Sequence, residues 1–158
     1  MGVELPNIAE EHFSLLWPRH VEGMITLLSE LRTAFDGDLD AALIMAVVGA
    51  ALLPADRLPV SFSYADLLAR KNIDFRKPLN TLSIAQVTGI PRETVRRKIA
   101  KMEKKNWIAR DTKGHWQIGS RGSEDLRPMT ELSLKYVSSI AEGLDLARSE
   151  KSGALQLV

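Results

Sequence analysis

The chain of 158 residues carries 21 basic and 20 acidic residues, a formal net charge of +1 at pH 7, and no cysteine. The missing cysteine excludes a disulfide framework and thiolate chemistry. The length suits a single domain over residues 1–158 with room for a sizeable core. There is no run of about eighteen apolar residues and no basic, cleavable N-terminal segment, so the expectation is a soluble, unexported protein of the cytoplasm.

Asn7 to Phe35 predicts one kinked helix or two helices, with Pro18 setting the break, since proline suits the first position of a helix. After it, Val21, Met24, Ile25, Leu28, Leu31 and Phe35 recur at helical spacing and predict an inward stripe. Asp36-Gly37-Asp38 ends that helix, and Asp38 is a good N-cap for the next. The next, Leu39 to Leu53, is apolar on nearly all sides and too short for a bilayer, which predicts burial all round. Pro54, Pro59 and Pro78 punctuate residues 54–79. Within them Ser63-x-x-Asp66 predicts a capping box for a short helix from Tyr64 to Arg70. Either that helix or the 39–53 helix would be the first of the core that follows.

Residues 80–105 predict helix, tight turn, helix. Leu82, Ile84, Ala85 and Val87 supply the first apolar face, and Gly89 and Pro91 separate it from a helix over Pro91 to Lys105. In that second helix Val95, Ile99 and Met102 stand at i, i+4 and i+7, an inward stripe. Two helices so joined form a helix-turn-helix, whose second helix enters the major groove. Trp107 to Asp111 and His115 to Ile118 then predict two short strands around Thr112-Lys113-Gly114, a wing over 107–118.

Charge is segregated along the chain. Residues 1–40 hold two basic and eight acidic residues, a net of −6; residues 92–113 hold nine basic and three acidic, a net of +6. A basic block coinciding with a second helix and its hairpin is the electrostatic footprint of a DNA reader. Arg92 and Glu93 lie in the first helical turn, where base edges are reached: arginine pairs with guanine O6 and N7, and glutamate accepts from the cytosine amino group. Arg96, Lys98, Lys101, Arg110 and Lys113 are placed to neutralise phosphates.

The stretch TGIPRETVRRKIAKMEKKNWIARD resembles the DNA-binding end of the Crp/Fnr (cyclic-AMP receptor protein type) regulators and, more loosely, the winged helices of MarR- and GntR-type repressors. Arg92-Glu93-Thr94-Val95 and Arg97 match the family pattern directly, while Asn106 replaces the usual glycine before the strand. The resemblance implies base reading by Arg92, Glu93 and Arg97 and a phosphate contact by Thr94. It covers residues 80–120 at most, and no cyclic-nucleotide barrel precedes it.

After the wing, residues 119–123 predict a loop that also leaves Glu124 and Asp125 as solvated charge. Pro128 then opens a last helix to about Ser149, with Met129, Leu132, Tyr136, Val137, Ile140 and Leu144 as its stripe and a frayed tail after Ala154. His12 and His20 stand too far apart, with only Glu10 and Glu11 near, to predict a metal site. No phosphate loop, nucleophile elbow or cofactor motif is present, so no enzyme is expected. Trp107 and Trp116 are expected to pack the wing onto the helices rather than form a ligand cage.

The expected fold is mostly α with a small β-wing: a winged helix-turn-helix core over 38–122, a helical dimerisation segment over 1–37, and a C-terminal helix and tail over 123–158. The expected function is a bacterial-type, sequence-specific transcription regulator that binds double-stranded DNA as a homodimer, with room for a small-molecule effector. The alternative is a winged-helix module for protein–protein assembly without DNA reading.

Overall fold

The computed structural model describes residues 7–69 and 74–155. The elements follow as α1 (Ile8–Glu11), α2 (Phe13–Ala34), α3 (Leu39–Leu52), α4 (Tyr64–Leu68), α5 (Thr81–Thr88), α6 (Arg92–Lys104), β1 (Ile108–Arg110), β2 (Trp116–Ile118), α7 (Gly122–Asp125) and α8 (Arg127–Leu155). The protein is mostly helical, with one small antiparallel sheet among the described residues. Contacts gather it into two compact units: Met1–Ala34 with Arg127–Val158, and Phe35–Leu126. Among the described residues no helix is long and apolar enough to cross a membrane.

The first unit is a helical hairpin. Asn7 caps α1 by accepting from the Ala9 N–H at 3.1 Å. The helical break then falls at His12, not at the expected Pro18, and α2 runs through Pro18. Proline removes one intrahelical donor and loosens the preceding turn. In the same turn the Arg19 guanidinium donates to the Leu15 carbonyl at 2.8 Å. Leu16 and Arg19 meet Gly143, and Gly23 meets the Tyr136 ring, so α2 and α8 run antiparallel. A Cβ at Gly143 would lie 2.9 Å from Leu16 Cδ2, and one at Gly23 would lie 2.6 Å from Tyr136 Cε2. The seam is therefore set by glycines. Ala147 is fully buried on the same line. The sequence stripes are accordingly corrected: Met24, Ile25, Leu28 and Val137 are exposed, because the small residues, not these, take the seam. α8 also runs further at its C-terminal end than expected, and residues 156–158 lie outside the described part.

In the second unit Asp38 caps α3 by accepting from Ala41 N–H at 3.0 Å. Helix α3 buries Ala41, Ala42, Ile44, Met45 and Val48, and it packs against α5, α6 and β2. It is thus α3, and not α4, that completes the helical core. Burial all round is not found: Leu39 and Leu43 are exposed, because α5, α6 and β2 all lie against the opposite side of the helix. The Ser63–Asp66 capping box is present, and α4 ends at Leu68; Arg70 lies outside the described residues.

Asn80 starts α5 by accepting from the Ser83 N–H at 2.9 Å, and Gly89 ends it at φ 72°. Exchange of Asn80 for alanine removes that cap and is expected to cost about 1 kcal/mol, read as a lowered midpoint of thermal unfolding. Beyond the turn Val95, Ile99 and Met102 of α6 are buried with Ile84 and Ile90. Asn106 takes φ 56°, a left-handed conformation that asparagine tolerates, and turns the chain into β1. Strands β1 and β2 pair Ile108 with Ile118, Ala109 with Gln117 and Arg110 with Trp116. The Trp116 N–H donates to the Leu79 carbonyl at 2.8 Å, tying the hairpin to the segment before α5.

Both hairpin-proximal tryptophans are buried, as expected. Trp107 Nε1 donates to Asp125 Oδ2 at 2.8 Å and Trp116 Nε1 to Thr81 Oγ1 at 3.1 Å. Residues 122–125 are not loop but the short helix α7; Glu124 and Asp125 are exposed as expected, and Asp125 also serves as the acceptor for Trp107. Gly122 permits this: a Cβ there would lie 2.5 Å from the Trp107 carbonyl oxygen.

Candidate nucleic-acid interface

Helix α6 presents two chemically different sides. Val95, Ile99 and Met102 fix one side in the core. Helical geometry then sends Arg92, Glu93, Arg96, Arg97, Lys101 and Lys104 outward, and all are exposed. Thr94 is half-buried at the margin of that face. Among the described residues Arg92, Arg97, Lys101, Lys104 and Lys113 make no ion pair.

Glu93 and Arg96 hold each other. Arg96 Nε and Nη2 donate to the two carboxylate oxygens at 2.9 and 2.6 Å, a bidentate pair. The Arg96 hydrogen bond, aided by the charges of Arg96 and Arg97, holds the Glu93 carboxyl below the usual carboxylate range, and the same partner raises Arg96. Glu93 is therefore an ionised acceptor at neutral pH. A carboxylate has acceptor sites to spare, so it can receive a further donor without releasing Arg96.

Lys98 stands apart from the expected phosphate set. Its ammonium lies 2.6 Å from both oxygens of Asp38, and the side chain is only 15% exposed. It joins α6 to the cap of α3. Burial opposes ionisation of Asp38, but the Lys98 hydrogen bond, the Ala41 N–H and the charges of Lys98 and Lys101 outweigh it and hold the carboxyl low. Lys105 is likewise engaged, 4.5 Å above the Trp107 ring and 3.4 Å from Asp36.

The hairpin is organised by one carboxylate. Asp111 Oδ1 accepts from the N–H groups of Lys113 and His115, each at 2.9 Å, and Gly114 follows at φ 81°. The His115 N–H, then the Lys113 N–H and the charges of His115 and Arg76, hold Asp111 below the usual range. Lys113 is thereby carried at an exposed tip. Arg110 lies with its guanidinium carbon 4.1 Å from the Trp116 ring centroid, so this cation is both exposed and braced. With alanine at Asp111, faster amide hydrogen exchange at Lys113 and His115 is expected, with α6 amides unchanged.

Lys104 continues the outward line one step beyond Arg97 and Lys101. One participant escaped the sequence reading. Arg76 bonds Gln117 and lies 3.6 Å from Asp111, bracing the hairpin from outside it. Nothing local announces that role. Among the described residues no group of His, Asp and Glu could hold a metal ion. Compared with family models, curated proteins and solved structures, the chain has no match.

Proposed function

We propose that the chain is a sequence-specific regulator of transcription, of bacterial type, that binds double-stranded DNA as a homodimer through a winged helix-turn-helix. The observation that carries this reading is the exposed basic face of α6, on which Arg92, Arg97, Lys101 and Lys104 make no ion pair among the described residues, in one unit with a hairpin that holds Arg110 and Lys113 outward. An α-helix with its base-reading groups at the N-terminal end fits the major groove, and a following hairpin reaches the adjoining backbone. Arg92, Glu93 and Arg97 read bases; Thr94, Arg96, Lys101, Arg110 and Lys113 contact phosphates. Lys98 instead supports the α3–α6 joint. Two copies would set their recognition helices about 34 Å apart on successive turns of the duplex.

The test is binding of mixed-sequence duplex DNA across a salt series. Affinity is expected to fall linearly with log salt at about 0.9 per phosphate neutralised. Lys101→Ala should weaken all sequences alike and reduce that slope by about 1. Salt-insensitive behaviour, or no retention of DNA at low salt, would move the basic face to an acidic protein partner.

A further inference from the structure

We infer that a second copy of this chain docks on the α2–α8 hairpin, seating its Phe13–Trp17 stack in the groove beside those helices and closing a four-helix bundle. This rests on the homodimer in the preceding reading and not on its DNA contacts.

The hairpin has more apolar surface than its one seam can use. On α2 the apolar positions span roughly 200° of the helix, whereas one packed stripe takes about 100°. Leu16 and Gly23 face α8. Phe13, Trp17, Met24 and Leu28 lie on the next arc and are exposed, Trp17 to 50%. Because the helices are antiparallel, the matching arc of α8 faces the same way, and there Val137 is 61% exposed. Two amphipathic helices side by side have no enclosed core; pairing two such hairpins makes one.

The face also has the relief that self-association needs. Phe13 and Trp17 stack at 5.2 Å and 16°, forming a ridge. Beside them runs an open groove of about 530 Å³ whose walls include Leu16, Tyr136, Ile140 and Leu144. A two-fold contact requires knob and hole on one surface, each copy giving both. Of the polar residues lining it, His20 and Tyr136 bond each other at 2.5 Å, and Glu10 is the remaining one. A small apolar molecule would fill the groove but leave Met24, Leu28 and Val137 bare. The size fits as well: a 22-residue helix is about 33 Å long and two such helices are about 20 Å wide, giving roughly 650 Å² before corrugation, close to the ~800 Å² per partner of stable complexes.

The experiment is sedimentation equilibrium of the full chain and three variants, with helical circular dichroism as the control. Wild type is expected to be a dimer. Trp17→Glu and, separately, Val137→Glu should each weaken self-association at least about 30-fold, while Leu43→Glu on the exposed side of α3 should leave it unchanged. Should Trp17→Glu lose helix, Val137→Glu decides. Dimers that tolerate both hairpin variants, or that dissociate only with Leu43→Glu, would overturn the surface while leaving the dimer standing. A monomeric wild type that still binds DNA would overturn the inference and spare the DNA contacts; a hairpin dimer that ignores DNA would do the reverse.

Discussion

The Arg92→Ala/Arg97→Ala double variant is expected to bind a selected operator duplex at least about 30-fold more weakly than wild type, and to lose most of its preference over random sequence. Each arginine that pairs bidentately with a guanine carries about 1–3 kcal/mol of discrimination, so two such pairs amount to about 2–6 kcal/mol. The fold should survive the change, because both side chains are exposed and neither makes an ion pair among the described residues. The comparison that matters is with Lys101→Ala, which should lower specific and random binding together. Competition titration against operator and random duplex reads both quantities. Equal losses on every sequence for both variants would remove base reading from Arg92 and Arg97 and leave them as phosphate contacts.

The largest expected effect on stability is at Asp38. Asp38→Ala removes the α3 cap and strips Lys98 of its partner in one step, for about 2–3 kcal/mol in urea unfolding at pH 7. Asp40→Ala is the control: its carboxylate is 3.9 Å from Lys98 and more than half exposed, so a change below about 0.5 kcal/mol is expected. The pH dependence has a definite sign. The Asp38 carboxyl is lowered in the folded protein, so its contribution is fully present above the ordinary value of 3.8 and is lost as pH falls through the folded value. Wild type should therefore lose stability on acidification below about pH 4, and Asp38→Ala should lose less over the same range. Parallel acid limbs for the two proteins would show that the Lys98–Asp38 contact does not tighten on folding.

Legibility in the sequence followed the range of the signals. Gly89 and Pro91 each act within a few residues, so the α5–turn–α6 unit could be read directly. Gly114 did the same for the hairpin, whereas the Asn80 cap and the Asp111 acceptor came only from the structure. Pro18 misled because a proline one turn into a helix can be accommodated there, as it is in α2. The seam of the α2–α8 hairpin was missed because periodicity counts large apolar residues, whereas close approach here depends on Gly23 and Gly143. An apolar composition likewise gives α3 no direction, so it could not reveal that Leu39 and Leu43 lie outward. For Lys98 the deciding partner, Asp38, is 60 residues away, and no pattern along one helix contains it.

The placement of the three tryptophans makes the protein its own optical reporter. Trp107 and Trp116 are sealed into the second unit with their indole N–H groups bonded, while Trp17 stands half-exposed on the first. Buried indoles emit further to the blue than solvated ones, so in the dissociated Val137→Glu variant, where Trp17 stays in water, each unit carries its own colour of intrinsic fluorescence. Denaturation followed at the two ends of the emission band, alongside helical ellipticity, tests whether the units melt together. Coincident curves mean one cooperative transition, and separated curves mean that the α2–α8 hairpin and the Phe35–Leu126 unit each carry a stability of their own.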